Sequence, residues 1–133
     1  MTRKGVQAMD DDRYRRGRQK RNELFGPEAE GAVRYLEELA PDLERIVMED
    51  LFGGFFCRPG LDPRIRSLCT VAVLAALGGR DVQVRYHIRG ALNVGATKQE
   101  VIEVLMHLLF YAGLPSASNG LRIAKEVFDE QGV

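Results

Sequence analysis

At 133 residues the chain is long enough for one well-formed core and too short for several. Its 19 basic and 19 acidic residues cancel, which excludes a global field favouring nucleic acid or an anionic membrane. The 45% hydrophobic content is globular, and the longest apolar runs fall far short of the roughly 18 residues a membrane span needs. MTRKGVQAM has no apolar h-region, so no secretory signal is expected. Cys57 and Cys69 stand in no close-spaced motif, and a reducing cytoplasm is the default setting.

Residues 1–9 are expected to be a disordered tail, followed by one domain over 10–131. Asp10–Asp12 supply acid at a helix start, and RYRRGRQKR then carries six basic residues between Arg13 and Arg21. That run is either a nucleic-acid arm or a solvated helix whose Tyr14, Leu24 and Phe25 touch the body. Sparse aromatic interleaving and zero net charge favour the helix. Gly26-Pro27 is a break, and EAEGAVRYLEEL is a short helix presenting Ala32, Val33, Leu36 and Leu39. Pro41 suits the first turn of the next helix, where its missing N–H costs nothing. There Leu43, Ile46, Val47, Leu51 and Phe52 recur at helical spacing. GGFFCRPG follows as an apolar loop, equally able to wall a pocket or plug a core edge.

Asp62 is an N-cap, with Pro63 at the first helical position. The stripe Ile65, Leu68, Cys69, Ala72, Val73 and Ala76 predicts an inward face and a buried, inert thiol at Cys69. Gly78-Gly79 ends this helix. Residues 81–88, DVQVRYHI, alternate as a strand would, but a lone strand has no pairing partner in the sequence, so the stretch is expected to be helical. On that helix His87 shares a face with Val84 and Ala91, while Arg85 and Arg89 pair on the far side. His87 is then either a core histidine satisfied by a backbone carbonyl or an acid or donor in an apolar pocket.

Thr97 and Glu100 form a capping box at the clearest helix start in the chain. Val101, Val104, Leu105, Leu108, Leu109 and Ala112 make its apolar stripe, and Ile102, Met106 and Phe110 fill much of the opposite face. A helix apolar nearly all round needs covering on several sides, by its own domain or by another subunit. His107 lies one turn after Glu103, a spacing that serves either to hold a tautomer or as a surface hydrogen bond. Gly113 and Pro115 stop the helix, and Ser116–Asp129 is the last one, with Ala117, Leu121, Ala124, Val127 and Phe128 inward. The fold expected is all-α, with six or seven helices. No metal site is expected, because His87, His107, Cys57 and Cys69 have no ligand spacing. Arg58, Arg64 and Arg66 around the Pro-Gly loop suit bidentate carboxylate binding or ordinary surface charge.

RPGLDPRIRSLCTVAVLAALGG, HIRGALNVGATKQEVIEVLMHLLFYAGLPSA and the N-terminal RYRRG together resemble the carboxymuconolactone decarboxylase family over roughly residues 10–130. The resemblance implies an alkyl hydroperoxidase D-like helical fold and a homo-oligomer, trimer or hexamer. The peroxidase branch of that superfamily carries a Cys-x-x-Cys with a His four positions later. Counted back from His87, those cysteine positions hold Arg80 and Gln83, so the dithiol cycle has neither nucleophile nor resolving thiol. The decarboxylase branch implies loss of CO2 from a small carboxylated lactone in aromatic catabolism, without a cofactor, since the substrate is its own electron sink. It assigns His87 as proton donor or dienolate stabiliser and Arg58 and Arg66 as carboxylate anchors. Phe55, Phe56 and Tyr111 become pocket wall, with His107 beside the substrate. Peroxidase activity and a non-catalytic binding protein of the same fold are the alternatives. The chain departs from the resemblance just before Arg-Pro-Gly-Leu-Asp: Gly54 and Phe56 stand where the decarboxylases tend to have an acidic residue and a Trp.

Overall fold

The structure is a computed structural model that describes residues 3–133, with side chains from Asp11 onward. The expected tail over residues 1–9 falls on residues whose backbone (1–2) or side chains lie outside that description. The chain divides into two compact units, Met1–Gly60 and Leu61–Val133, where the sequence suggests one domain over 10–131. The break follows the Pro59-Gly60 pair.

The first unit begins with α1, Arg3–Phe25. Three short segments follow: α2 (Ala29–Ala32), α3 (Arg34–Leu39) and α4 (Pro41–Ile46). The helix expected over EAEGAVRYLEEL is split at Val33, whose φ of −113° and ψ of 5° leave the helical region. Helix α4 continues into a wide π turn, Val47–Phe52, where the Gly53 N–H reaches the Met48 carbonyl at 2.8 Å. One 3₁₀ turn, Phe55–Cys57, closes the apolar loop.

Helix α1 packs on the π turn because Gly17 lets it: a Cβ there would stand 1.8 Å from the Met48 carbonyl oxygen. The inward face of α4 and the π turn is Glu44, Met48 and Phe52; of the expected stripe Phe52 is buried and Val47 half-buried, while Leu43, Ile46 and Leu51 are exposed. Glu44 is inside because the Tyr14 hydroxyl donates to both its carboxylate oxygens, at 2.9 and 3.1 Å. Burial and that carboxylate both raise the Tyr14 pKa, so the phenol stays a donor. Phe52 meets Phe25 edge-on and Phe56 at a tilt, with ring centroids 6.0 and 5.8 Å apart.

The second unit is four helices: α5 (Pro63–Leu77), α6 (Asp81–Asn93), α7 (Lys98–Tyr111) and α8 (Leu114–Gln131). Both expected caps are present. The Asp62 carboxylate accepts from the Ile65 N–H at 3.0 Å, and Thr97 and Glu100 exchange the two capping-box bonds at 3.0 and 2.9 Å. The stretch 81–88 is helical, as expected, with Val84, Ile88 and Ala91 buried. Val71, Val101, Leu105, Ile123 and Val127 are the centre of the core. Helix α8 crosses α7 at Gly120, where a Cβ would meet Leu105 Cδ2 at 2.6 Å.

Helix α5 corrects the sequence reading. Its buried face is Ser67, Leu68, Val71 and Ala75, and the expected stripe through Cys69, Val73 and Ala76 lies outside. Among the described residues all regular structure is helical, in eight α segments against the six or seven expected. No described helix is long and apolar enough to cross a membrane.

Candidate active site

His87 sits in the middle of α6, one turn after Val84 and one before Ala91, both buried. Its ring is half-buried and meets the Tyr86 ring edge-on at 5.7 Å. Burial pushes its pKa down from 6.5 to about 4. At neutral pH the ring is therefore an uncharged imidazole, one nitrogen donating and the other accepting. At that pH His87 carries no stored positive charge.

Arg85 and Arg89 leave the helix on another side, but they do not pair with each other. Arg85 is bound to Glu126 and, at 3.0 Å, to Glu130 of α8, and Arg89 is bound to Glu130. The carboxyl of Glu126 is held low, chiefly by the Arg85 hydrogen bond. These pairs fasten α6 to α8 and hold α6, and with it His87, against the four-helix core.

His107 is elsewhere in the same unit, exposed on α7, with its ring tilted on Tyr111 at 5.0 Å. Glu103 accepts from the Gln99 amide at 3.0 Å. A cleft of about 470 Å³ lies between α5 and α7, walled by Ile65, Leu68 and Ala72 and carrying Cys69, Glu103 and His107. Cys69 is thus an exposed thiol on an apolar cleft, not the buried one expected. The error was one of face: α5 is apolar on two stripes, and only one can pack inward. His87 is not part of that cleft lining.

The arginines divide between the units. In the second, Arg64 pairs with Glu100 at the first turn of α7, and the Arg66 Nε donates to the Leu61 carbonyl at 3.0 Å. The Glu100 carboxyl is held low by the Thr97 N–H first and Arg64 next. Arg58, Phe55 and Phe56 belong to the first unit. Arg58 lines a polar cleft of about 760 Å³, Phe55 is exposed, and Phe56 is buried against Phe52. Tyr111, in the second unit, is 80% exposed.

Gly54 has a structural cause. A Cβ there would stand 2.7 Å from an Arg13 nitrogen and 2.7 Å from the Asp50 carbonyl oxygen. The space where an acidic side chain would begin is thus occupied by Arg13, itself paired with Asp50 at 3.3 Å. Among the described residues no three His, Cys, Asp or Glu side chains are grouped to hold a metal.

The family model for the carboxymuconolactone decarboxylase family matches residues 41–126. A 4-carboxymuconolactone decarboxylase of Acinetobacter baylyi is 36% identical over 93% of this chain and 92% of its own length. A 15.0 kDa protein of Paracoccus denitrificans, encoded between nqo9 and nqo10, is 35% identical over 74% of this chain and 75% of its own. A nitrosuccinic acid decarboxylase of Metarhizium robertsii is 29% identical over 92% and 89%. A chain matched through most of its length by both the family model and a relative at 36% identity belongs to the carboxymuconolactone decarboxylase family.

Proposed function

We propose that the chain is a cofactor-independent carboxy-lyase acting on a small carboxylated unsaturated lactone of the 4-carboxymuconolactone type, in aromatic catabolism in the cytoplasm. The neutral, half-buried imidazole of His87 carries this reading. Two relatives named as decarboxylases of different acids support the reaction class. In both named substrates an acceptor conjugated to the breaking bond, a lactone carbonyl or a nitro group, can take the electrons.

The bond between the ring carbon and its carboxylate breaks, CO2 leaves, and the electron pair spreads through the unsaturated lactone to the carbonyl oxygen. That oxygen gains negative charge only as the bond breaks. An N–H held in partly desolvated surroundings stabilises it more in the transition state than in the bound substrate. A proton from solvent water then adds to carbon, leaving hydroxide that the released CO2 takes up as bicarbonate. With a pKa near 4, His87 contributes the hydrogen bond at neutral pH and is not a reservoir of imidazolium. Arg66 is the carboxylate anchor carried over from the resemblance, with its Nε held by the Leu61 carbonyl.

The protein is proposed to work as a homo-oligomer, a trimer or hexamer. At the end of α7 and start of α8, Met106, Leu109, Phe110, Tyr111 and Leu114 are all exposed, Phe110 by 88%. So many large apolar side chains left exposed within nine residues call for a partner surface. Light scattering should give a mass of at least three chains, and a monomer would contradict it.

Ultraviolet decay and CO2 release with 4-carboxymuconolactone test the function directly. Wild type should turn over, and His87→Ala should keep its circular dichroism while losing about 10²–10³-fold in kcat. Absence of turnover in wild type would overturn the substrate class, and full turnover in His87→Ala would overturn the role of His87.

A further inference from the structure

Six basic side chains lie on α1 between Arg13 and Arg21, and five of them face a carboxylate. Arg13 pairs with Asp50 at 3.3 Å, Arg15 with Asp12, Arg18 with Glu30 at 2.6 Å, Lys20 with Glu23 at 2.9 Å, and Arg21 approaches Glu30 at 3.9 Å. Arg16 differs: among the described residues it has no acidic partner. Its Nε donates to the Gly53 carbonyl at 3.2 Å, which fixes the guanidinium plane and leaves both terminal nitrogens for something else.

Arg16 lines the cleft of about 760 Å³ in the first unit, together with Arg13 and Arg58. Arg13 and Arg16 share it because residues three apart on a helix lie on one face. Gly53 and Gly54 form part of the wall. A Cβ on Gly53 would stand 2.3 Å from the Arg13 carbonyl oxygen, so only a bare backbone lets the loop lie against α1 here. The acid on the rim, Asp12, is bound to Arg15, and Asp50 is bound to Arg13. Three guanidinium groups thus line one cleft; Arg13 and Arg16 are both tied through Nε to a backbone carbonyl, but Arg13 spends a terminal nitrogen on Asp50 while Arg16 faces no carboxylate among the described residues. A guanidinium fork matches the two oxygens of a carboxylate.

We propose that this cleft is a binding site for the carboxylates of a small polycarboxylic acid, with Arg16 as the bidentate anchor. The shared chemistry is a compact oxyanion, and the two sources to be told apart are a carboxylate and inorganic phosphate. The proposal concerns binding and stands independently of any decarboxylation.

Calorimetric titration of the full chain with succinate tests it, with phosphate as the second arm. Succinate should bind saturably. Arg16→Gln should weaken it at least about tenfold, and Arg16→Lys, which keeps the charge and loses the fork, by less. Lys20→Gln, whose partner is Glu23, should leave it unchanged. No saturable succinate binding, or the same affinity in Arg16→Gln, would overturn the site. Phosphate binding tighter than succinate, with the same dependence on Arg16, would overturn the assignment to carboxylate.

Discussion

The two units of this chain are held together by different means. Before Gly60, helical segments are joined by arginine–carboxylate pairs, by a part-buried Tyr14–Glu44 hydrogen bond, and by glycines that let backbones touch. After Gly60, four helices close over an apolar core in which Val71, Ile88, Val101, Leu105 and Val127 are fully buried. The first kind of construction leaves guanidinium groups around an open cleft, which suits anion binding. The second gives the partly desolvated ground in which an imidazole stays neutral, which suits a hydrogen bond to a developing oxyanion. Ion pairs occur in both units, but in the second they sit on the outside of an apolar core, as where Arg85 and Arg89 tie α6 to α8.

This contrast predicts where substitution hurts. Gly17→Ala should be the most damaging, costing about 4 kcal/mol or more, because its Cβ meets a backbone oxygen that no rotamer change can move. Leu105→Ala should cost about 2–5 kcal/mol, the range for a cavity in a close-packed core. Urea unfolding measures both, and a loss below about 1 kcal/mol in either would break the comparison for that unit.

Acid should act on the second unit through His87. Its pKa is about 4 in the fold against 6.5 when unfolded, so between these values the unfolded chain binds the extra proton. The stability that His87 contributes is complete above pH 6.5 and is lost as pH falls toward 4, by about 3 kcal/mol at most. His87→Gln should flatten that part of the stability–pH curve. A variant as acid-sensitive as wild type would assign the effect elsewhere.

Arg21 gives a smaller effect of opposite sign. It is 1% exposed, and its three guanidinium nitrogens have no hydrogen-bond partner among the described residues. A buried charge so poorly compensated costs stability, so Arg21→Met should raise it by about 1–2 kcal/mol. Destabilisation on that substitution would show that Arg21 is satisfied by something other than protein.

Local signals in the sequence located the elements well. Asp62-Pro63, Thr97 with Glu100, and Gly78-Gly79 mark helix ends through bonds and backbone angles that span only a few residues, so they could be read directly. What could not be read was which face turned inward. Helices α4 and α5 are each apolar on more than one stripe, and periodicity alone cannot choose between stripes. The choice in α4 depended on Tyr14, 30 residues from Glu44, and that in α5 on the packing of four helices. Cys69 was misplaced for that reason. His87 was legible as a histidine on the apolar side of a helix, because Val84 and Ala91 flank it at helical spacing. Arg16 was hidden inside a uniformly basic run, and only the carboxylates that face its neighbours set it apart.

The most direct test of this account is an NMR titration of the His87 imidazole, with its resonances assigned by their loss in His87→Gln. The ring should stay neutral through pH 6 and take up its proton near pH 4. A midpoint at the ordinary 6.5 would contradict it, since the second unit would then not desolvate the ring and the neutral N–H donor would be lost.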